Sequence, residues 1–180
     1  SSYNLEIKGD FLLDLNQFSN GNLLATSVKS DKMFSFVESA TIYFSLLDFS
    51  SNVIQFLQPI SLDTYESINR QSTYSITNGS HILVSIHSQS FSHNQYLFLV
   101  SNEAQTNHKI KFVRSKPFKT AIDHKQVYVL NSTEHKIDIY DLMLQKQQSI
   151  EINFEPLIDG FNVIDNSLYI FQSSHINSYK

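Results

Sequence analysis

Residues 126–152 have the sequence QVYVLNSTEHKIDIYDLMLQKQQSIEI, and this segment decides the fold. It contains three runs of β-forming residues separated by two polar segments. In the middle run, Ile137 and Ile139 alternate with Asp138 and Tyr140, and a period of two is typical of a strand. We therefore predict a meander of three antiparallel strands at residues 127–130, 136–142 and 149–152.

The composition of the whole chain agrees with this β-rich segment. The chain has 180 residues, of which 41% are hydrophobic, 13% aromatic and 17% charged, enough for a folded core. Abundant Phe and Tyr favour pleated, half-buried surfaces. We therefore predict an all-β domain that spans residues 1–180.

The absence of certain residues and segments narrows the chemistry and the compartment. The chain contains no cysteine, which excludes disulfides, thiolate catalysis and cysteine-ligated zinc. No apolar run approaches the roughly 18 residues of a membrane span. No signal peptide is recognisable at the start of the chain. These features favour an intracellular protein without a membrane span.

Four Asn or Asp positions mark an internal repeat. Asn20, Asn78, Asp123 and Asp165 each lie between two apolar runs, and they are 58, 45 and 42 residues apart. Two of them begin Asn-Gly pairs, the strongest short hairpin signal, which predicts turns with positive φ at both central residues. We call these four positions the anchors, and we predict that each is the first bend of a β-sheet.

Further strands are predicted in each repeat. A third strand is predicted at residues 42–46, 96–100, 137–142 and 175–179. A fourth strand is predicted at residues 53–57, 110–113 and 149–152. Four antiparallel strands at a period of 42 to 58 residues are typical of a propeller blade.

One blade also carries a motif. Residues 136–142, KIDIYDL, resemble the end of the third strand of a WD-repeat blade, with Tyr140-Asp141 where the family has Trp-Asp. The repeats are also similar to the more degenerate blades of the NHL and CNH families. The Gly-His pair of WD repeats is missing from all four units. The resemblance implies a β-propeller-like fold of about four blades.

The predicted units are 8–62, 67–117, 118–157 and 158–180. The last unit has three strands, and residues 1–7 are a candidate strand to complete it and close the ring. Two alternatives stay open at this stage. Besides the closed ring, these are a partial propeller, which would belong to a larger one of six to eight blades, and a β-sandwich.

One short span departs from the acidic character of the chain. Residues 108–125 carry six Lys or Arg and one Asp, whereas the whole chain has a net charge of −4. Such a span is suited to an acidic partner, although lysines on an edge strand also prevent edge-to-edge aggregation. Five of its residues are candidate partner-binding residues: Lys109, Lys111, Arg114, Lys116 and Lys119.

Other candidates for chemistry are weaker. His81, His87 and His93 recur every six residues, but about 20 Å of extended strand would separate neighbours, too far for one metal ion. In propeller glycosidases acids lie at the inner ends of first strands, and Asp14 occupies such a position. Gly-rich phosphate loops and nucleophile elbows are absent. We therefore expect no catalytic residues, no cofactor and no metal.

The sequence supports three hypotheses on function. The leading one is a non-catalytic protein–protein interaction or scaffold module, which binds through a propeller face or rim within a larger hetero-complex. The second is a carbohydrate-binding or carbohydrate-active propeller with an axial pocket. The third is a structural part of a larger propeller. Nucleic acid is not an expected partner, because the chain is acidic overall.

Overall fold

The computed structural model of the chain describes residues 8–33, 36–62, 68, 73–88, 94–103, 107–112, 119–131, 134–152, 160–164, 167–172 and 175–179. These residues form β-strands, turns and short connections, and none of them is helical. Consequently, no described segment is a helix of the length and apolarity that crossing a membrane requires. The predicted all-β class is confirmed.

The described residues form sixteen strands in four sheets, and within each sheet the strands pair in chain order except for one short strand. The first sheet contains β1 (Phe11–Gln17), β2 (Leu23–Met33), β3 (Phe36–Asp48), β4 (Val53–Phe56) and a short β5 (Ile60–Ser61) that also pairs with β3. The second contains β6 (Thr73–Thr77), β7 (His81–His87), β8 (Gln95–Ser101) and β9 (Asn107–Phe112). The third contains β10 (Lys119–Ile122), β11 (Gln126–Asn131), β12 (Lys136–Asp141) and β13 (Lys146–Glu151). The fourth contains β14 (Gly160–Ile164), β15 (Ser167–Gln172) and β16 (His175–Tyr179).

The meander predicted at residues 126–152 is β11, β12 and β13, which pair antiparallel. The expected polar turn at residues 145–148 is wrong in its position, because β13 already begins at Lys146. The reversal occurs just before it. Leu144 has a φ of 57° there, and Asp141 Oδ1 accepts hydrogen bonds from the backbone N–H groups of Met143 and Gln145, both at 2.9 Å.

Within the described part of the chain, three hydrophobic cores connect the sheets one after another. The first core joins the first and second sheets, the second joins the second and third, and the third joins the third and fourth. The second and third sheets are therefore buried on both faces. This explains why β7 and β8 are almost continuously apolar rather than alternating, as expected for strands with two covered faces.

The first strands of the sheets lie next to each other. β1 contacts β6, β6 contacts β10, and β10 contacts β14. The outermost strands β4 and β13, by contrast, are exposed along their length. Sheets that share an inner side and splay outwards, with a core between each pair, are blades around an axis. The architecture is propeller-like and consistent with a partial propeller.

The three described anchors, Asn20, Asn78 and Asp123, are the first bends of their sheets, but the turn type at the two Asn-Gly corners differs from the prediction. Gly21 and Gly79 have φ values of 90° and 96°, whereas Asn20 and Asn78 are not in the left-handed region. Instead of a positive φ, the anchor side chains stabilise these turns by accepting hydrogen bonds from backbone N–H groups. Asn78 Oδ1 accepts from the N–H groups of Ser80 and His81 at 3.1 and 2.8 Å. In such Asx turns the side-chain bonds stabilise the bend, so the Asn does not need a positive φ.

Asp123 forms the same kind of corner in the third sheet. Its Oδ1 accepts from the N–H groups of Lys125 and Gln126, both at 2.7 Å. Its Oδ2 accepts a hydrogen bond from the Tyr128 hydroxyl at 2.8 Å. Burial and this hydrogen bond raise the pKa of Tyr128, so the phenol remains a donor at neutral pH.

The corners of neighbouring sheets are also bonded to each other. Asn78 Nδ2 donates to the carbonyl oxygen of Asp123 at 2.6 Å. The N–H of Ser19, beside the first anchor, donates to the carbonyl oxygen of Gly79 at 2.8 Å. A side chain at Gly79 would approach Ser19 to 3.3 Å, so the two corners are close-packed. These bonds tie three corners together around the inner side of the sheets.

Some predictions are incomplete or fall elsewhere. The hairpin of β2 and β3 is longer than expected, with 11 and 13 residues, and β5 was not predicted. The fourth corner at residues 165–166 and the candidate closing strand at residues 1–7 lie outside the described residues. The unit boundaries and the closure of the ring stay predictions.

The Tyr140-Asp141 pair has a structural role in this blade. Tyr140 packs in the second core, with its ring 6.3 Å from that of Phe112 in an edge-on arrangement. Burial, together with the nearby charge of Asp138, raises the pKa of Tyr140 to about 12. Asp141 holds the turn between β12 and β13 through the bonds described above.

A buried carboxylate lies in the middle of the third sheet. Asp138 is 5% exposed, and its Oδ1 accepts from Lys146 Nζ at 2.8 Å and from Ser149 Oγ at 2.7 Å, both on β13. Burial acts to raise the pKa of Asp138. The hydrogen bonds from Lys146 and Ser149 outweigh it, so the pKa lies below its ordinary value.

The corner bonds predict unequal costs for two similar substitutions. We expect Asn78→Ala to lower the free energy of unfolding by about 2–3 kcal/mol, because it removes the three turn bonds from Ser80 and His81 and the bond to the third sheet. Asn20→Ala is the matched control, since Asn20 makes one turn bond, to the N–H of Asn22, and it should cost about 0.5–1 kcal/mol. Urea unfolding monitors both. Equal costs would contradict the role of the corner-to-corner bond.

Asp138 predicts a pH-dependent contribution to stability. Because its folded pKa lies below the unfolded value of about 3.9, the folded state binds fewer protons, and stability falls as the pH falls. We expect Asp138→Asn to cost about 1–3 kcal/mol at pH 7. The difference from wild type should shrink as the pH drops below about 4. Glu103→Gln, at an exposed carboxylate, is the control for urea unfolding across this range. A pH-independent difference would refute the assignment.

Candidate axial binding site

The inner strands enclose a pocket of about 580 Å³. This volume lies within the range typical of small-ligand sites, about 300–1,000 Å³. All four sheets contribute to the described part of its wall. The lining residues are Asn16 of β1, residues 75–77 of β6, residues 120–122 of β10, and residues 160–162 of β14 together with Phe171 of β15.

The lining combines neutral polar groups with apolar ones. Hydroxyl and amide side chains come from Asn16, Ser75, Thr77, Thr120 and Asn162. Between them lie apolar side chains whose residues also belong to the second and third cores, such as Ile76, Ala121 and Phe161. None of the lining residues that the structure describes is charged. Such a wall can orient a ligand by hydrogen bonds and bury its apolar part.

Among the described residues, the carboxylate of Asp14 is hydrogen-bonded to this wall. Asp14 Oδ2 accepts a hydrogen bond from Ser75 Oγ at 2.5 Å and another from Asn16 Nδ2 at 2.9 Å. Its Oδ1 accepts from the N–H of Leu15 at 2.8 Å. Asp14 therefore holds two lining residues in place, one from its own sheet and one from the second.

A β-bulge in β1 immediately precedes Asp14. The register of β1 on β2 shifts between Leu12 and Asp14, so Leu13 has no partner in the ladder. Leu13 is buried in the first core, while Asp14 bonds to Ser75 of the second sheet. In a regular strand these consecutive side chains would point to opposite faces. The bulge allows both to contact the second sheet.

The wall is fixed by bonds between sheets. Besides the bond from Ser75 to Asp14, the Tyr74 hydroxyl and Thr120 Oγ1 lie 3.1 Å apart, which joins the second and third sheets. Thr77 Oγ1 donates to the carbonyl oxygen of His81 and accepts from the N–H of Gly79, both at 2.9 Å. The lining hydroxyls are therefore held before any ligand arrives, which reduces the ordering cost of binding.

The structure separates the predicted basic residues. Lys109 and Lys111 are exposed on β9, the outermost strand of the second sheet. Lys119 is half-buried on β10, the first strand of the third sheet. Arg114 and Lys116 lie outside the described residues. The two groups of lysines that are described thus belong to opposite sides of neighbouring blades.

The two lysines on β9 share one aromatic neighbour. The Nζ atoms of Lys109 and Lys111 lie 5.2 and 6.0 Å from the centroid of the Tyr96 ring, within the range of cation–π attraction. On the opposite face of β9, Phe112 packs against the second core, as the predicted alternation requires. The assignment of these lysines to a partner remains a prediction.

The histidine and carboxylate candidates do not form a cluster. His81 and His87 lie at opposite ends of β7, and His93 lies outside the described residues. Within the described part of the chain, no three His, Cys, Asp or Glu side chains are grouped as metal ligands. Asp48 caps a turn instead. Hydrogen bonds from the Ser50 and Ser51 hydroxyls lower its pKa to about 2.

The sequence had indicated the pocket only through the general idea of an axial site and through Asp14. It missed Asn16, Ser75, Thr120 and Asn162. A usable signal existed in the anchor spacing, because every lining residue on a first strand precedes its anchor by at most five positions. No sequence pattern indicated the bulge next to Asp14.

Comparisons with known proteins support the fold. No protein-family model matches the chain, and no curated protein matches it. Sixteen chains of solved structures do match. One is an acylaminoacyl peptidase in complex with Z-Gly-Gly-Phe-chloromethyl ketone, with a TM-score of 0.50 and 16% identity over 97% of this chain and 30% of that one. Another is an acylaminoacyl peptidase of Pyrococcus horikoshii, with a TM-score of 0.34 and 12% identity over 97% of this chain and 39% of that one.

At 16% identity the first match shows the fold alone. Acylaminoacyl peptidase has a β-propeller domain, and this chain spans about a third of the length of the peptidase chains that it matches. This similarity does not confirm the predicted resemblance of the chain to the WD, NHL and CNH repeat families. The chain is therefore an all-β chain of four-stranded antiparallel blades, consistent with a partial propeller.

Proposed function

We propose that the chain is a non-catalytic protein-interaction module that takes a segment of its partner into the axial pocket. The observation that carries this proposal is the shared wall: the inner strands of all four sheets line one pocket of about 580 Å³. A partner bound in this pocket would be bound through the propeller face, within a larger assembly.

The chemistry of the wall supports binding. A peptide segment presents amide donors and acceptors together with apolar side chains, and the lining offers both kinds of partner. The hydroxyls of Ser75 and Thr120 and the amides of Asn16 and Asn162 can pair with a peptide backbone. Phe171, which is 37% exposed, gives an aromatic surface at the pocket.

The distribution of carboxylates favours binding over hydrolysis. Glycoside hydrolysis commonly uses two carboxyl groups about 5–9.5 Å apart on either side of the scissile bond. Among the described acidic residues, Asp14 is the one that bonds to the lining, and its oxygens already accept three hydrogen bonds. This arrangement suits a residue that positions its neighbours. It supports the non-catalytic reading against a carbohydrate-active one.

A plug in the pocket tests the proposal. We expect Asn162→Tyr to reduce partner capture by about tenfold or more, because Asn162 is exposed in the wall and a phenol there would occupy the space of the ligand. Gln148→Tyr makes the same change on β13, an exposed outer strand, and should capture as well as wild type. Tagged chains incubated with extract of the native source, followed by quantitative mass spectrometry, give the ratio for each bound protein.

The comparison between the two tyrosine variants decides the outcome. A partner that Gln148→Tyr retains and Asn162→Tyr loses supports the pocket. If Asn162→Tyr retains every specific partner, the axial pocket is not the interaction site. Thermal unfolding of both variants shows whether the loss follows from misfolding.

The lysines on β9 are a second candidate surface, favoured by their exposure on an edge strand. If an acidic partner contacts them, Lys109→Glu combined with Lys111→Glu should lower its capture and make the remaining capture insensitive to salt. Lys8→Glu is a matched control, because Lys8 Nζ also lies over a ring, 4.4 Å from the centroid of Phe56. Each lost ring contact should cost about 0.5–1 kcal/mol of stability. Unchanged capture by the double variant would remove these lysines from the interface.

A further inference from the structure

We propose that the axial pocket accepts a primary ammonium group on a short aliphatic chain, as a lysine side chain of a partner segment presents it. This inference rests on the proposed function and adds the chemical class of the group that the pocket takes. Its basis is the direction of the hydrogen bonds around Asp14.

Asp14 accepts protons from two residues of the wall. An ionised carboxylate only accepts hydrogen bonds, so Ser75 Oγ must donate to Asp14 Oδ2. A serine hydroxyl has one proton and two lone pairs, and Ser75 can therefore only accept from a ligand in the pocket. Asn16 donates one amide proton to the same oxygen, which leaves its carbonyl oxygen and its second amide proton for a ligand. Beside Asp14, free acceptor lone pairs thus outnumber free donors.

The charge of Asp14 points to the same ligand chemistry. The ion pairs between described residues involve Asp138 and Glu134, and in that part of the chain no Lys or Arg pairs with Asp14. Asp14 is half-buried. Its carboxylate is directly hydrogen-bonded to two lining residues, Ser75 and Asn16. A charge close to a partly enclosed cavity attracts an opposite charge more strongly than it does in bulk water.

The remainder of the pocket suits an aliphatic stem and a cation. Ile76 and Ala121 offer apolar surface near Ser75 and Thr120, to which they are adjacent in sequence. Phe161 and Phe171 also line the cavity, and the faces of aromatic rings attract ammonium groups. A lysine side chain combines a compact ammonium, with three donors and no acceptor, and a four-carbon stem.

A pair of model compounds tests this on the unmodified 180-residue chain. The probe is N-acetyl-lysine N-methylamide, and its control is N-acetyl-norleucine N-methylamide, which keeps a four-carbon stem and lacks the ammonium. With ¹³C-labelled isoleucine and alanine methyl groups, NMR titration follows Ile76 and Ala121 in the wall. We expect the lysine compound to shift both signals saturably and to bind at least about tenfold more tightly than the norleucine compound.

A charge variant supports the assignment to Asp14. Asp14→Asn keeps an oxygen that can accept from Ser75 and Asn16, and it should weaken the lysine compound at least about tenfold. Asp10→Asn removes the same charge from an exposed position next to β1 and should leave its affinity unchanged. The methyl spectrum of each variant reports whether its fold is intact.

The inference is overturned if the two compounds bind equally, or if neither shifts the pocket signals up to about 10 mM, where a ligand bound by only a few kcal/mol still registers. It also fails if Asp10→Asn and Asp14→Asn behave alike. These outcomes are separable from those of the capture experiment. Pocket-dependent capture with equal binding of both compounds leaves the proposed function standing. Selective binding of the lysine compound, with capture that ignores the pocket, overturns the proposed function alone.

Discussion

The hydrogen bonds between corners of neighbouring sheets are the constraint on which the rest of the structure depends. The cores between blades are apolar and non-directional, so they hold the sheets together without fixing how far each is rotated about the axis. The bonds from Asn78 to Asp123 and from Ser19 to Gly79 supply that direction at the inner side. Because the anchor side chains also satisfy their own turns, one residue sets both the local bend and the position of the next sheet.

The pocket is a consequence of this arrangement. Corners that are tied together hold the first strands close, and the side chains just before each corner then face a common space. Each of the four first strands is too short to form a site alone, and together they form the pocket. The bonds from Ser75 to Asp14 and between Tyr74 and Thr120 connect neighbouring sheets beside the cavity.

Much of the fold was predictable from local patterns, and the reasons are physical. Hairpins with apolar arms need no knowledge of distant residues, so the strands flanking Asn20, Asn78 and Asp123 were placed correctly. The turn before β13 was misplaced, because the left-handed conformation at Leu144 contradicts the usual preference of leucine. The length of β2 and β3 also escaped prediction, since polar residues interrupt the apolar run while the ladder continues to Met33 and Phe36.

The site was harder to predict than the fold. Its lining residues are common types, Asn, Ser and Thr, whose role depends on which strands meet, and that is settled by packing between sheets. The basic span shows the converse. Among the described residues of this span, Lys109 and Lys111 lie on the last strand of the second sheet and Lys119 lies on the first strand of the third, so charges that are close in sequence lie on different sheets.

The bulge in β1 separates packing from pairing along one strand. Pairing is in phase on both sides of Leu13: Leu12 faces Ser27, and Asp14 faces Thr26, the next residue along β2. The ladder would therefore remain regular if position 13 did not exist. Leu13 adds one side chain to the first core, and the residues on either side keep the alternation of the strand. The size of this core side chain can therefore vary without changing the face on which Asn16 lines the pocket.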